Sequence, residues 1–213
     1  GYKEAIGLRF KDPSVRLLIS ISDDANLFSR ITSDTSSSNK FLQSIFTFLE
    51  KHKFDGIEIN WHNAPSKALK TLLKSIYTPL TSRGYCVTAA VRKTDEIDRE
   101  LHNYADLLLF KAWRHTPQKT ALHPAPLSYV EEFVQSWLDL GTDPKKIILG
   151  VPLFGISYTL KYKNNTNAGA PVSGPGVGGR HTKQKGLVAY YEACDMIEEL
   201  WYAGRDEDGS FIK

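Results

Sequence analysis

The segment Phe54-Asp55-Gly56-Ile57-Glu58-Ile59-Asn60-Trp61-His62 concentrates the residue types that could do chemistry. Its alternation of apolar and polar residues reads as a β-strand, along which alternate side chains share a face. Gly56, Glu58, Asn60 and His62 then point one way, and Ile57, Ile59 and Trp61 the other. A carboxylate, an amide and an imidazole in succession are costly on one face of a buried strand unless they satisfy one another or line a cleft. The first case is a structural polar network. The second is a site at the carboxyl end of the strand, where β/α barrels place their active groups. There an imidazole, titrating near 6.5 when unperturbed, could exchange protons with a carboxylate such as Glu58 or Asp55.

The elements that must hold this strand follow from periodicity. Apolar, β-branched runs at residues 17–21, 56–59, 86–91, 107–110 and 147–154 are bounded by polar or turn residues, as buried strands are. Helical spacing fills most of the intervals. Phe41, Ile45, Phe48 and Leu49 recur after the cap candidates Ser37 and Ser38; Leu69, Leu72, Leu73, Ile76 and Leu80 run towards Gly84; Val130, Phe133, Val134, Trp137 and Leu138 close at Gly141. Strands alternating with helices predict an α/β fold with a parallel sheet, either doubly wound or a β/α barrel. The Gly-rich dinucleotide turn is missing after the first strand, where Ser20-Ile21-Ser22-Asp23-Asp24 stands. Past Phe154 the pattern breaks. Residues 164–186 are rich in Gly, Asn and Pro, and 187–199 read as a helix, which predicts a small lobe inserted into the main fold.

Composition excludes several classes. The 213 residues carry 27 Lys and Arg against 24 Asp and Glu, a net +3 that is too balanced to signal nucleic-acid binding. Cys86 and Cys194 cannot staple a domain of this size and fit no zinc spacing. His52, His102, His115, His123 and His181 lack metal spacing, so no metal is expected. No apolar run approaches the roughly 20 residues of a membrane helix. Gly174-Pro175-Gly176-Val177-Gly178-Gly179-Arg180 lacks the Gly-Lys-Ser/Thr that a phosphate loop needs before its helix, and Gly-x-Ser-x-Gly is absent. Asn164-Asn165-Thr166 is a glycosylation sequon, in keeping with a secreted protein. The chain opens on Gly1 without a signal-like leader and is expected to be a processed chain or a fragment.

The segment 54–62 resembles the Phe-Asp-Gly-x-Asp-x-Asp-Trp-Glu strand of family 18 glycoside hydrolases, the chitinases and chitinase-like lectins. Four further stretches are similar to that family in the same order. Leu17-Leu18-Ile19-Ser20-Ile21 matches Leu-Leu-Ser-Ile-Gly-Gly without its glycines. Asp106 to Arg114 stands where the family has Asp-x-x-x-x-Met-Thr-Tyr-Asp, followed by Ala125-Pro126-Leu127. Residues 146–155 match Lys-x-x-x-Gly-x-Pro-x-Tyr-Gly. Residues 186–194 match Gly-x-x-Ala-Tyr-x-Glu-x-Cys of an inserted α+β lobe. The resemblance implies an incomplete (β/α)8 TIM barrel, with residues 1–156 supplying strands three to seven and 157–213 part of the lobe. It also implies a longer parent protein, whose additional cysteine pairs with the position of Cys194, and leaves Cys86 as a buried thiol.

What the resemblance implies for chemistry is substrate-assisted hydrolysis, in which the sugar's own N-acetyl group attacks the anomeric carbon. The acid, the acetamido-holding Asp and the sixth-strand Tyr fall here on His62, Asn60 and Trp113; Asp55 keeps the motif's first Asp, and Glu58 replaces the middle one. The imidazole differs in reach from a Glu carboxyl, Asn60 brings no negative charge, and Lys111 and Arg114 add positive charge beside a cationic transition state. No catalytic residue is therefore expected among Asp55, Glu58, Asn60 and His62. The resulting expectation is a secreted, inactive chitinase-like protein. It would bind chitin or N-acetylglucosamine oligosaccharides through Trp113, Lys111, Arg114, Phe154 and Asn60, aided by Tyr158, or act as a scaffold for a protein partner. It needs no cofactor and would carry a glycan at Asn164. Two alternatives stay open: a residual hydrolase using His62 as acid, and a structural partner in a larger assembly. Trp61 is expected to pack under a helix and Trp137 in the core.

Overall fold

The structure is a computed structural model describing residues 1–23, 26–62, 64–93, 97–113, 119–199 and 201–212. The chain divides into two compact units: Gly1–Lys111 with Trp137–Leu149, and Ala112–Ser136 with Gly150–Lys213.

In the first unit, helix α1 (Tyr2–Gly7) precedes strand β1 (Leu18–Asp23), which is followed by helices α2 (Asn26–Ser33) and α3 (Thr35–His52). Strand β2 (Gly56–Trp61), helix α4 (Ser66–Thr81), strand β3 (Cys86–Val91) and strand β4 (Leu107–Phe110) come next. Helix α5 (Leu127–Leu138), which belongs to the second unit as far as Ser136, precedes the last strand of the first unit, β5 (Ile147–Leu149). The five strands form one sheet in the order β1-β2-β3-β4-β5, every pair parallel. A doubly wound sheet reverses its strand order at a switch point. This sheet never does, and its monotone order is that of a β/α barrel, five strands of the eight such a barrel holds. β1 and β5 are its edges, and β5 leaves Ile148 and Leu149 more than two-fifths exposed.

Alternation does what the sequence predicts along β2: Ile57 and Ile59 are fully buried and Trp61 nearly so, while Glu58 and Asn60 keep partial exposure. Leu69, Leu72, Leu73, Ile76 and Leu80 form the buried stripe of α4, each side chain worth roughly 1.5–3 kcal/mol on burial. Gly56 is required where it stands, because a Cβ there would lie 2.0 Å from the carbonyl oxygen of Cys86 on β3.

Three expectations need correction. Helix α3 is capped by Asp34, whose carboxylate accepts from Ser36 N and Ser37 N, so the helix begins before Ser37 and Ser38. The run 147–154 is not one strand. β5 stops at Leu149, and Gly150 and Pro152 intervene; Pro152 has no amide hydrogen to continue a ladder. Phe154–Ile156 is a separate strand, β6. The run 187–199 begins as a strand, because residues 187–189 pair antiparallel with β6.

The second unit is α+β. β7 (Tyr158–Leu160) pairs antiparallel with β8 (Val172–Pro175), β6 with β9 (Leu187–Ala189), and β10 (Ala203–Arg205) with β11 (Ser210–Ile212); helix α6 (Tyr190–Glu198) follows β9. His123 Nε2 lies 2.9 and 3.0 Å from the two carboxylate oxygens of Asp206, tying its loop to the end of β10. Among the described residues no helix is long and apolar enough to cross a membrane.

Candidate functional site

Strand register assembles the site. Glu58 is level with Ser20 on β1 and Thr88 on β3, and Thr88 is level with Leu107 on β4. Residues two and four further along each strand keep the same face. Asn60, Ala90 and Leu109 therefore form the next layer, and His62, Arg92 and Lys111 the one after. Each of the last three is the first residue beyond its strand, at the carboxyl ends of β2, β3 and β4. This is the end at which β/α barrels build their sites.

The polar groups there are held loosely. Lys111 Nζ lies 3.8 Å from Glu58 Oε1, an ion pair beyond hydrogen-bond length, with the two side chains 14% and 17% exposed. Glu58 Oε1 is buried and accepts no hydrogen bond. Arg92 Nη1 donates to Asn60 Oδ1 at 3.5 Å, the far limit of such a bond. Burial pushes the Lys111 ammonium below its ordinary range; Glu58 opposes that shift and the Arg92 charge adds to it. Burial likewise lowers Arg92, with Glu58 in opposition. His62 sits half-buried in the turn after β2.

Asp55 belongs to the other end of the sheet. Its Oδ2 accepts from Arg9 Nη2 and from Leu17 N, both at 2.6 Å, which fixes the start of β2 against the residue before β1. Asp106 repeats the device before β4. Its Oδ2 accepts from Val87 N at 2.8 Å and its Oδ1 from the Tyr77 hydroxyl at 3.0 Å. Glu58, Asn60, His62 and Lys111 are thus gathered at one end, and Asp55 is not with them. Arg92 is the member that sequence reasoning missed. The available signal was a cation in the first position after a predicted strand.

Trp61 is buried with its ring 5.3 Å from that of Phe28 on α2, and Trp137 is buried 5.4 Å from Phe110. A cavity of about 110 Å³ is bordered by Trp61, Leu69, Ala90, Arg92 and Trp137. Trp113 and Phe154 belong to the second unit and are both half-buried, and the Tyr158 hydroxyl donates to Leu122 O at 2.9 Å. Asn164 is exposed. Arg114 lies outside the described residues. Cys86 and Cys194 are free thiols, the first buried. Among the described residues no group of three or more His, Cys, Asp or Glu could hold a metal ion.

The second unit contains a carboxylate of a different kind. Glu192, 2% exposed, accepts from His181 N and Thr182 N through Oε1, and from the Thr182 hydroxyl and Ala189 N through Oε2, at 2.6–3.0 Å. Burial alone would raise its pKa, but these donors outweigh it and hold the group down at about 2.

Comparison with known proteins places this geometry. The profile of glycosyl hydrolases family 18 matches residues 1–211. Mouse (Mus musculus) chitotriosidase-1 is 29% identical, with 92% of this chain and 51% of the relative covered. Human (Homo sapiens) chitinase-3-like protein 2 is 28% identical, with 92% and 59% covered, so the chain spans little more than half of either relative. Catalytic domain 2 of the Group II chitinase of Ostrinia furnacalis superposes with a TM-score of 0.91 at 24% identity, covering 100% of this chain and 65% of that one. Human YKL-39, a pseudo-chitinase with retained chitooligosaccharide binding properties, superposes with a TM-score of 0.87 at 26% identity, covering 100% and 68%. The α/β fold with a partial TIM barrel and an α+β lobe is shared with these structures. Matched over almost its whole length, the chain belongs to family 18 of the glycosyl hydrolases.

Proposed function

We propose that this chain is a catalytically inactive chitinase-like protein that binds N-acetylglucosamine-type glycans. The observation that carries the reading is the pair of cations at the strand ends: Lys111 beside Glu58 and Arg92 against Asn60. Hydrolysis assisted by the substrate's acetamido group develops positive charge, and a site that loses one stabilising charge loses about 10²–10³ in rate. Here the resemblance puts a carboxamide and an imidazole at the positions of the holding Asp and the acid, and Lys111 and Arg92 bring positive charge to the same strand ends. Every change opposes the same step.

Sugar binding makes smaller demands. It needs aromatic faces and neutral hydrogen-bonding groups, for which this reading nominates Trp113, Phe154 and Asn60, with Lys111 and Arg114 as charged contacts. Human YKL-39, a pseudo-chitinase with retained chitooligosaccharide binding properties, supports the separation of the two activities in this fold. The same reading makes the protein secreted, glycosylated at the exposed Asn164, and independent of any cofactor.

Isothermal titration of the full-length protein with an N-acetylglucosamine hexamer tests it. The expected result is a saturating isotherm that returns to baseline after each injection. Continuing heat would mean turnover and overturn inactivity; no heat would overturn glycan binding. Replacing His62→Glu and Asn60→Asp together should still not produce chitinase activity while Lys111, Trp113 and Arg114 remain.

A further inference from the structure

We propose that the strand-end cluster of the first unit selects glycans bearing a carboxylate, the ring-uronate class, over neutral N-acetyl sugars. The inference rests on the glycan-binding reading above and names the charge of the sugar. Register places Glu58, Asn60 and His62 of β2, Arg92 after β3 and Lys111 after β4 on one face at one end of the sheet. Among the described residues of that face, Glu58 is one carboxylate facing two cations. It does not neutralise both: its buried Oε1 accepts no hydrogen bond, and Lys111 Nζ stands 3.8 Å away. Among the described residues Arg92 donates to the neutral oxygen of Asn60 at 3.5 Å, with Glu58 acting on it at longer range.

A surplus positive charge held mostly out of water is costly unless an anion joins it. The shifts of both cations run in the direction that cost predicts, burial weakening each charged form. A ring carboxylate presented by a bound sugar would join Glu58 in countering Arg92 and Lys111, two charges of each sign among the described residues. The Arg92 guanidinium offers a planar pair of donors matched to a carboxylate, and Lys111 a compact charge beside it. A neutral acetamido group supplies neither compensation.

The test is a calorimetric comparison in the full-length protein of two hexamers. One is built of N-acetylglucosamine alone; the other alternates N-acetylglucosamine with glucuronic acid. The carboxylated hexamer should bind about tenfold tighter at low salt, the worth of one charge-assisted hydrogen bond, and the margin should shrink at high salt. Lys111→Gln should remove most of that margin, whereas Lys111→Arg should keep it. Glu58→Gln, which removes the internal competitor, should widen it about threefold or more. Equal or tighter binding of the neutral hexamer would overturn the inference and leave the glycan-binding reading standing. Binding of neither would overturn both. If Lys111→Gln does not fold, the widened margin expected for Glu58→Gln beside the unchanged margin expected for Lys111→Arg still decides the matter.

Discussion

Two glutamates, one in each unit, show how differently a fold can treat a carboxylate. Glu192 is sealed by four hydrogen bonds from the chain around it, and the backbone of the 181–182 turn and of β9 is shaped to donate to it. Glu58 stands on a strand with one oxygen buried and unbonded and a single cation at 3.8 Å. Both occupy positions in stretches that resemble family motifs, and both are acidic. Their surroundings separate an architectural group from a group kept available. A carboxylate whose every lone pair is answered holds its neighbours in place. One left under-satisfied at the carboxyl end of parallel strands is a candidate for meeting something outside the chain.

The largest effect should come from disturbing Glu192. A Cβ on Gly179 would lie 2.1–2.3 Å from three atoms of the Glu192 carboxyl group, which its donors prevent from moving aside. Gly179→Ala should therefore lower the thermal midpoint by several degrees, read by circular dichroism. Glu192→Gln should also lower it, because the amide turns one acceptor into a donor facing backbone N–H groups. The pH dependence gives this prediction its sign. The folded pKa is depressed to about 2, so the stabilisation is complete above the unfolded carboxyl range and is lost as pH falls towards about 2. The native protein should lose stability over that acid interval with a steeper slope than Glu192→Gln. Parallel slopes would mean that the four hydrogen bonds contribute nothing and that the contrast between the glutamates is false.

Glu58→Gln should cost less than Glu192→Gln in a urea titration, since it breaks one ion pair 3.8 Å long and no hydrogen bond to Oε1, where Glu192→Gln disturbs four hydrogen bonds. A loss as large as that of Glu192→Gln would make Glu58 a structural residue, and the loose geometry at the strand ends would lose its meaning.

The contrast also marks what a sequence discloses. Residues 56–61 declare their strand by strict alternation, and Leu69 to Leu80 declare their helix by spacing, because both signals are local. Helix α2 escaped notice. It is eight residues long and largely polar, with Phe28 and Ile31 as its buried apolar anchors among the described side chains, too short a stripe to show a period. The limit of β5 was obscured by an apolar run that continues through Val151 and Leu153, which are exposed. At the site, Glu58, Asn60, His62 and Lys111 were legible because strand parity and the family motif point to them. Arg92 was not, since its place depends on the register of β3 against β2 and β4. The same holds for Asp55, whose partners lie 38 and 46 residues away in the chain.

The smallest expected effect is the sharpest test of the site. His62 stands where the resemblance puts the catalytic acid, one layer beyond Asn60 and level with Arg92 and Lys111. In a working hydrolase that position is the proton donor, and truncating a general acid costs about 10²–10⁴ in rate. In a binding protein it is one polar side chain among several at a half-exposed turn. His62→Ala should then change the affinity for an N-acetylglucosamine hexamer by no more than about threefold, which is under 1 kcal/mol. It should leave the preference for a carboxylated sugar intact, because that preference is carried by Arg92 and Lys111. Loss of turnover on the same substitution would restore His62 as an acid. It would also make the under-satisfied Glu58 its partner in proton transfer rather than the counter-charge of a binding site.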